Sequence, residues 1–172
     1  MSDAGRIFQI SISTGGVPKL RVDEARVTSL GLVGDEHRNR QHHGGPERAV
    51  CLYSVEAIRA LSAEGHAVVP GGLGENVTVE GIAWETLSPG TYLRLGEEVL
   101  LQITRYTTPC FNIKTSFTDG QYSRVSQKRH PGWSRLYARV LLEGRIRGGD
   151  PVCIVDDLQA AEHLADRGVS MA

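Results

Sequence analysis

Residues 91–105, TYLRLGEEVLLQITR, decide the fold. Val99, Leu101 and Ile103 alternate with Leu100, Gln102 and Thr104, a period of two that marks a strand with one buried face. Gly96 and Glu97 interrupt the run, so the stretch predicts a β-hairpin. The alternation recurs on both sides of it. Phe8, Ile10 and Ile12 alternate with Ile7, Gln9 and Ser11, and Leu136, Ala138, Val140 and Leu142 repeat the pattern. Gly15-Gly16, Gly44-Gly45-Pro46, Gly71-Gly72 and Gly148-Gly149-Asp150 punctuate the chain, and PVCIV (151–155) reads as a closing strand. Two amphipathic helices are expected. SVEAIRALSAEGH (54–66) has Ser54 as N-cap, Gly65 as stop, and Val55, Ile58 and Leu61 on one face. DDLQAAEHLADRG (156–168) carries Leu158, Ala161 and Leu164. Helices do not alternate with strands, which disfavours a parallel α/β fold. The fold class is mainly β, a barrel or sandwich with a few peripheral helices. The barrel is expected over residues 1–155, with a helical tail at 156–172 that either packs back or stays free.

The 172 residues suit one domain with a core of its own. A net charge of −1 with no long basic block gives no electrostatic footprint for nucleic acid. Three scattered cysteines without a CxxC pair exclude a disulfide framework and a four-cysteine zinc site, and fit a reducing compartment. No signal peptide is read, and no apolar run approaches the ~20 residues of a membrane span. A soluble, cytoplasmic protein is expected, with its oligomeric state open.

Chemistry concentrates in three loops. TRYTTPCFNIKTSF (104–117) presents Cys110 behind Pro109, with Arg105 and Lys114 nearby. Neighbouring cations favour a thiolate, and the proline holds Thr108 extended, so the chain turns here. Local sequence leaves two readings, a reactive thiol at a loop and a small apolar residue ending a strand, and the second is the commoner. GLVGDEHRNRQHHGGPERAVCLYS (31–54) gathers Asp35, His37, His42, His43 and Arg48 around a glycine turn. Glycine amides approach an anion closely, and Arg48 is a bidentate donor for phosphate or carboxylate. PGGLGENVTVEG (70–81) adds Gly74, Glu75 and Asn76 at the start of a strand. Lys19, after Pro18, is either a phosphate donor or an exposed turn lysine. Asp35 orients a histidine or caps its turn. His37 and His42 read as loop residues, and Cys51 and Cys153, inside apolar runs, as core. A hydrolytic zinc site on the histidines is disfavoured, because adjacent residues of an extended chain point to opposite sides.

In this order, GGVPK (15–19), GDEHRNRQHHGGPERAVCLYS (34–54), GLGENVTVEG (72–81), PCFNIK (109–114) and GRIRGGDPV (144–152) resemble the MOSC family, named for the C-terminal domain of molybdenum-cofactor sulfurase. The resemblance covers roughly residues 5 to 155 and implies a β-barrel. It places Cys110 at the family's functional cysteine, and His43, Gly44, Gly45, Glu75 and Asn76 on shared motifs. It implies a molybdenum cofactor (molybdopterin), with Cys110 as the molybdenum ligand and His43 beside it in a catalytic role. Lys19, Gly44, Gly45, Arg48, Gly74, Glu75, Asn76 and Lys114 are the candidate cofactor-binding residues. Two activities follow from the resemblance. One is reduction of an N-hydroxylated small-molecule substrate with a separate electron donor. The other is carriage of a persulfide on Cys110, supplied by a separate cysteine desulfurase. No pyridoxal phosphate site is expected in this chain. A binding module for an anionic ligand or a partner protein is the reading from a different class. Whichever holds, the HHGGP and GEN loops are expected to converge on the PC loop, because one thiol cannot select a bulky ligand.

Overall fold

The computed structural model describes residues 4–36 and 44–170. In chain order the elements are β1 (Gly5–Ile12), β2 (Leu20–Val22), β3 (Glu24–Thr28), β4 (Gly31–Leu32), β5 (Val50–Ser54), α1 (Val55–Ala63), β6 (Val77–Glu80), β7 (Tyr92–Leu95), β8 (Val99–Tyr106), β9 (Leu136–Leu142), β10 (Gly144–Arg147), β11 (Pro151–Val155) and α2 (Asp157–Asp166). The hairpin expected at 91–105 is β7–β8, paired from Leu95↔Val99 to Tyr92↔Gln102.

The main sheet runs β11-β7-β8-β9-β5-β6-β1-β2, and β11 also pairs with β1. That last pairing closes seven strands into a barrel and leaves β2 as an extension on β1. Around the ring, neighbours are antiparallel except β5 and β6, which run parallel. Strands β10, β3 and β4 form a small second sheet. The mainly-β barrel is thus the fold.

Leu52, Val77, Leu93, Leu101, Ile103, Leu136 and Ala138 fill the interior, each 1% exposed or less. Removing such side chains from water is the main stabilising term. One expected face is shifted. Ile7 and Ile10 both point inward while Phe8 is exposed, because a bulge between Ile7 and Gln9 offsets the register against β6. An extra residue in a ladder turns every later side chain to the other face. Phe8 is instead covered by Arg59, whose guanidinium carbon lies 5.4 Å from the ring centroid.

Helix α1 begins where its sequence directs. The Ser54 side chain accepts a hydrogen bond from the Ala57 N–H, and Val55, Ile58 and Leu61 are buried. Gly65 ends it at φ 99°. Helix α2 packs back on the outside of the barrel. Asp156 and Gln159 form a reciprocal capping box at its start. Ala160 and Leu164 close over Leu100, Leu142 and Val155, with Cys153 half-buried beside them rather than in the main core. Leu142 reaches this outer cluster through a second bulge, where the β8–β9 register steps from Leu100↔Leu142 to Leu101↔Val140. Among the described residues no helix is long and apolar enough to cross a membrane.

Truncating Leu164 to Ala opens this small outer cluster, so the variant should lose about 2–4 kcal/mol in urea unfolding. An unfolding midpoint equal to that of the parent would show that α2 contributes no packing energy.

Candidate active site

Three connections that are distant in sequence meet at one end of the barrel. They form a cleft that opens to solvent, about 650 Å³ with its mouth included. Gly16, Val17 and Lys19 come from the β1–β2 loop, Leu73, Gly74 and Asn76 from the approach to β6, and Cys110, Asn112 and Ile113 from the segment after β8. Arg48 enters from the turn before β5, Cys51 and Tyr137 come from the paired strands β5 and β9, and Arg135 immediately precedes β9. Glu36 also faces it.

The wall is built on a buried polar network. Lys19 is 7% exposed rather than a free turn lysine, and its Nζ donates to both Asp35 carboxylate oxygens at 2.7 and 2.6 Å. Asp35 also accepts from the Ser13 N–H (2.9 Å) and from Asn76 Nδ2 (2.9 Å). Asn76 accepts the Cys51 N–H at its Oδ1 (3.1 Å) and donates to the Ser11 carbonyl (3.3 Å). Its amide therefore serves a carbonyl of β1, an N–H of β5 and the Asp35 carboxylate. Glu75 is fully buried, accepting at Oε1 from the Gly71 N–H (2.7 Å) and the Thr78 hydroxyl (3.0 Å). It shapes the turn from behind and is not among the lining residues. The turn requires glycine at two places. Gly71 has φ +80°, and a Cβ there would lie 2.4 Å from the Lys19 carbonyl; Gly74 has φ +87°, and its Cβ would meet Val17 Cγ1 at 2.9 Å.

Cys110 is half-buried at the cleft edge, in extended conformation, just before a 3₁₀ run over Phe111–Ser116. Buried Ile113 and Phe117 pin that run, and the Thr118 N–H donates to His66 Nδ1 at 3.1 Å at its far end. Cys110 is therefore held by packing on its C-terminal side, and the Ile113 N–H returns to its carbonyl (3.2 Å). Cys51 shares the cleft but is buried, and desolvation pushes its thiol up to about 11. Tyr137, beside it across the β5–β9 pair, is raised by burial to about 12 and stays a protonated phenol. Arg48 lies over that ring, 5.9 Å from its centroid.

The remaining candidates sit apart. Lys114 is exposed over the Phe111 ring (5.2 Å) and does not line the cleft. Gly44 and Gly45 lead into the 3₁₀ turn Pro46–Arg48 with φ 89° and 82°, outside the lining. His37, His42 and His43 lie outside the described residues. Sequence reasoning missed Arg135, Tyr137, Asn112, Glu36 and the cleft position of Cys51. Only the run RLYARVLL (135–142) held a signal, since Arg135, Tyr137 and Arg139 share the phase opposite Leu136 and Ala138.

Such a cleft, on a closed barrel with a cysteine at its edge, defines a class that the comparisons identify. The MOSC domain model matches residues 39–153, and the chain belongs to this family. Protein YiiM of Escherichia coli is 30% identical over 145 residues, covering 81% of this chain and 63% of that one. A protein of Gibberella moniliformis named "Reductase" is 30% identical over 134 residues, 75% of this chain and 23% of its own length. The chain thus spans less than two thirds of these curated relatives. The crystal structure of YiiM from Geobacillus stearothermophilus superposes with a TM-score of 0.69 at 23% identity, covering 88% of this chain and 75% of that one, a likeness of fold.

Two outcomes test this geometry. Alkylation of the folded protein at neutral pH should label Cys110 well before Cys51, read by peptide mass mapping; prior labelling of Cys51 would contradict its burial. The second concerns Glu75, whose carboxyl burial raises above the ordinary glutamate value, with Oε2 bare of partners among the described residues. The folded state then holds a proton that the unfolded state releases. The stability Glu75 allows is full below the ordinary value, about 4.3, and is lost as pH rises through the raised one. Relative to Glu75→Gln, the parent should weaken progressively from that pH towards neutrality, and parallel stability–pH curves would refute the shift.

Proposed function

We propose that the protein is a molybdenum-cofactor-dependent oxidoreductase acting on N-hydroxylated compounds, with Cys110 as the protein's metal ligand. The carrying observation is that Cys110, a half-buried thiol, shares one cleft with Arg48, Arg135 and the glycine turns at Gly16 and Gly74. A soft sulfur donor suits a thiophilic metal. The residues present fit the cofactor: Cys110 for the metal, and guanidinium and turn amides for a phosphate. The fungal relative's name, a reductase, supports the same class.

When bound, the cofactor supplies two-electron redox chemistry. The chain's own residues bind, orient and shield. Cys110 fixes the metal at the cleft edge, Asn112 offers an amide to the ligand, and Tyr137 presents a phenol that remains protonated at neutral pH. Reduction of an N-hydroxyl group consumes two electrons and two protons and releases water. The electrons come from a separate donor protein.

Expressed in a host that makes the cofactor, the protein should retain molybdenum and pterin in equal amounts and reduce an amidoxime with a chemical electron donor. Cys110→Ala should lose both metal and turnover, and stoichiometric molybdenum in that variant would sink the proposal. The exposed side of the same thiol also suits a persulfide carrier. Intact-mass analysis after incubation with a cysteine desulfurase and cysteine separates the two readings. One added sulfur on the Cys110 peptide, with no metal retained, would replace the oxidoreductase by the carrier.

A further inference from the structure

The cleft holds two of the chain's three cysteines, Cys51 and Cys110. Cys51 faces Tyr137 across the β5–β9 pair, and Arg135, two residues before Tyr137, lies in the same phase. The chain leaving β8 is laid along this surface. The Thr107 N–H donates to the Arg135 carbonyl at 3.0 Å, and Cys110 follows three residues later. Burial raises the Tyr137 phenol most, and Cys51 and Cys110 both add to the rise, so both sulfurs lie within electrostatic reach of one oxygen.

The two thiols differ in how they are held. Cys51 is 5% exposed, and Asn76 fixes its backbone twice, accepting its N–H at Oδ1 and donating to its carbonyl. Cys110 is half-buried, on a segment pinned on its far side by Ile113 and Phe117. A buried thiol that keeps its proton does not compete for an incoming sulfur, whereas a thiol in contact with solvent takes it.

We propose that Cys51 is a resolving thiol, which releases as sulfide a sulfane sulfur accepted by Cys110. The inference rests on Cys110 acting as a persulfide carrier, the second of the two functions proposed for it. In the loaded cleft Cys110 bears an outer sulfur as a persulfide anion. The Cys51 thiol passes its proton to that outer sulfur, and its own sulfur attacks the inner sulfur of Cys110. The persulfide S–S bond breaks as the Cys51–Cys110 disulfide forms, and hydrosulfide leaves. Counted from two free thiols, the accepted sulfur gains the two electrons that the pair loses on becoming a disulfide, so no outside oxidant is needed. A small thiol or a dithiol protein then reduces the bridge. Cys51 is fixed in β5, so the approach that closes the bond falls to Cys110.

Cysteine persulfide is the probe. Reduced, cofactor-free protein, freed of small thiols, is loaded with one equivalent and followed by intact mass and by sulfide release. In the parent the added sulfur should be transient. It should give way to a species two hydrogens lighter than the reduced chain, with Cys51 bridged to Cys110 in the peptide map and one sulfide released per bridge. In Cys51→Ser the sulfur should persist on Cys110 roughly tenfold longer or more, with sulfide release lost. Cys153→Ser should behave as the parent, since Cys153 lies under α2 in the outer cluster. A persulfide that lasts equally long in the parent and in Cys51→Ser overturns the proposal and leaves the carrier standing. A sulfur that reaches Cys110 in neither protein overturns both. Should the serine variant fail to fold, the parent decides. Diamide should join Cys51 to Cys110 within one chain, and a peptide map with the two unbridged overturns the pair.

Discussion

The cleft depends on the side chain of Asn76. Its amide meets β5 through the Cys51 N–H, β1 through the Ser11 carbonyl, and the segment after β4 through Asp35. The Ser11 N–H donates to its backbone carbonyl and its own N–H donates to the Cys51 carbonyl, each at 2.8 Å. One residue thus satisfies polar groups on two strands at the point where β6 enters between them. Buried amides in low dielectric are held hard when every partner is present and are costly when one is missing. Asp35 and Lys19 extend the network as a buried ion pair, and such a pair fixes geometry more than it adds stability.

Around that network the cleft's chemistry divides. Lys19 and Asp35 neutralise one another in the wall, and Arg48 and Arg135 bring two guanidinium groups to the same cleft. Cys110 sits on a segment anchored by buried Ile113 and Phe117, so the thiol is positioned by apolar packing. Cys51 shows how burial separates two identical side chains in one pocket: desolvation suppresses its ionisation, while Cys110 keeps contact with solvent.

Much of this was legible in the sequence where the signal is local. The β7–β8 hairpin, the Ser54 cap and the buried face of α1 all follow from nearest-neighbour patterning. The bulge at Phe8 was not legible, because one unpaired residue leaves no mark in an alternating run. Of the loops expected to meet, the GEN and PC loops share the cleft, whereas Gly44 and Gly45 lie outside its lining and His43 lies outside the described residues. Glu75 and Asn76 turn inward to build the turn, and Lys19 is buried by a carboxylate sixteen residues away. Arg135 was invisible because its place in the cleft, tied to the Leu73 carbonyl, is set by three-dimensional placement rather than by local pattern.

The single parallel contact between β5 and β6 has a cause in parity. Directions can alternate all the way round a closed ring only if the number of strands is even. A seven-membered ring must therefore contain a mismatch, and this barrel places it at β5–β6. Parallel neighbours cannot be joined by a tight turn, so the chain must travel back across the barrel before re-entering the sheet. Residues 55–76 make that return, and their last stretch supplies Leu73, Gly74 and Asn76 to the cleft. An odd count of strands thereby obliges the chain to carry a long excursion, and the pocket is lined with the end of it.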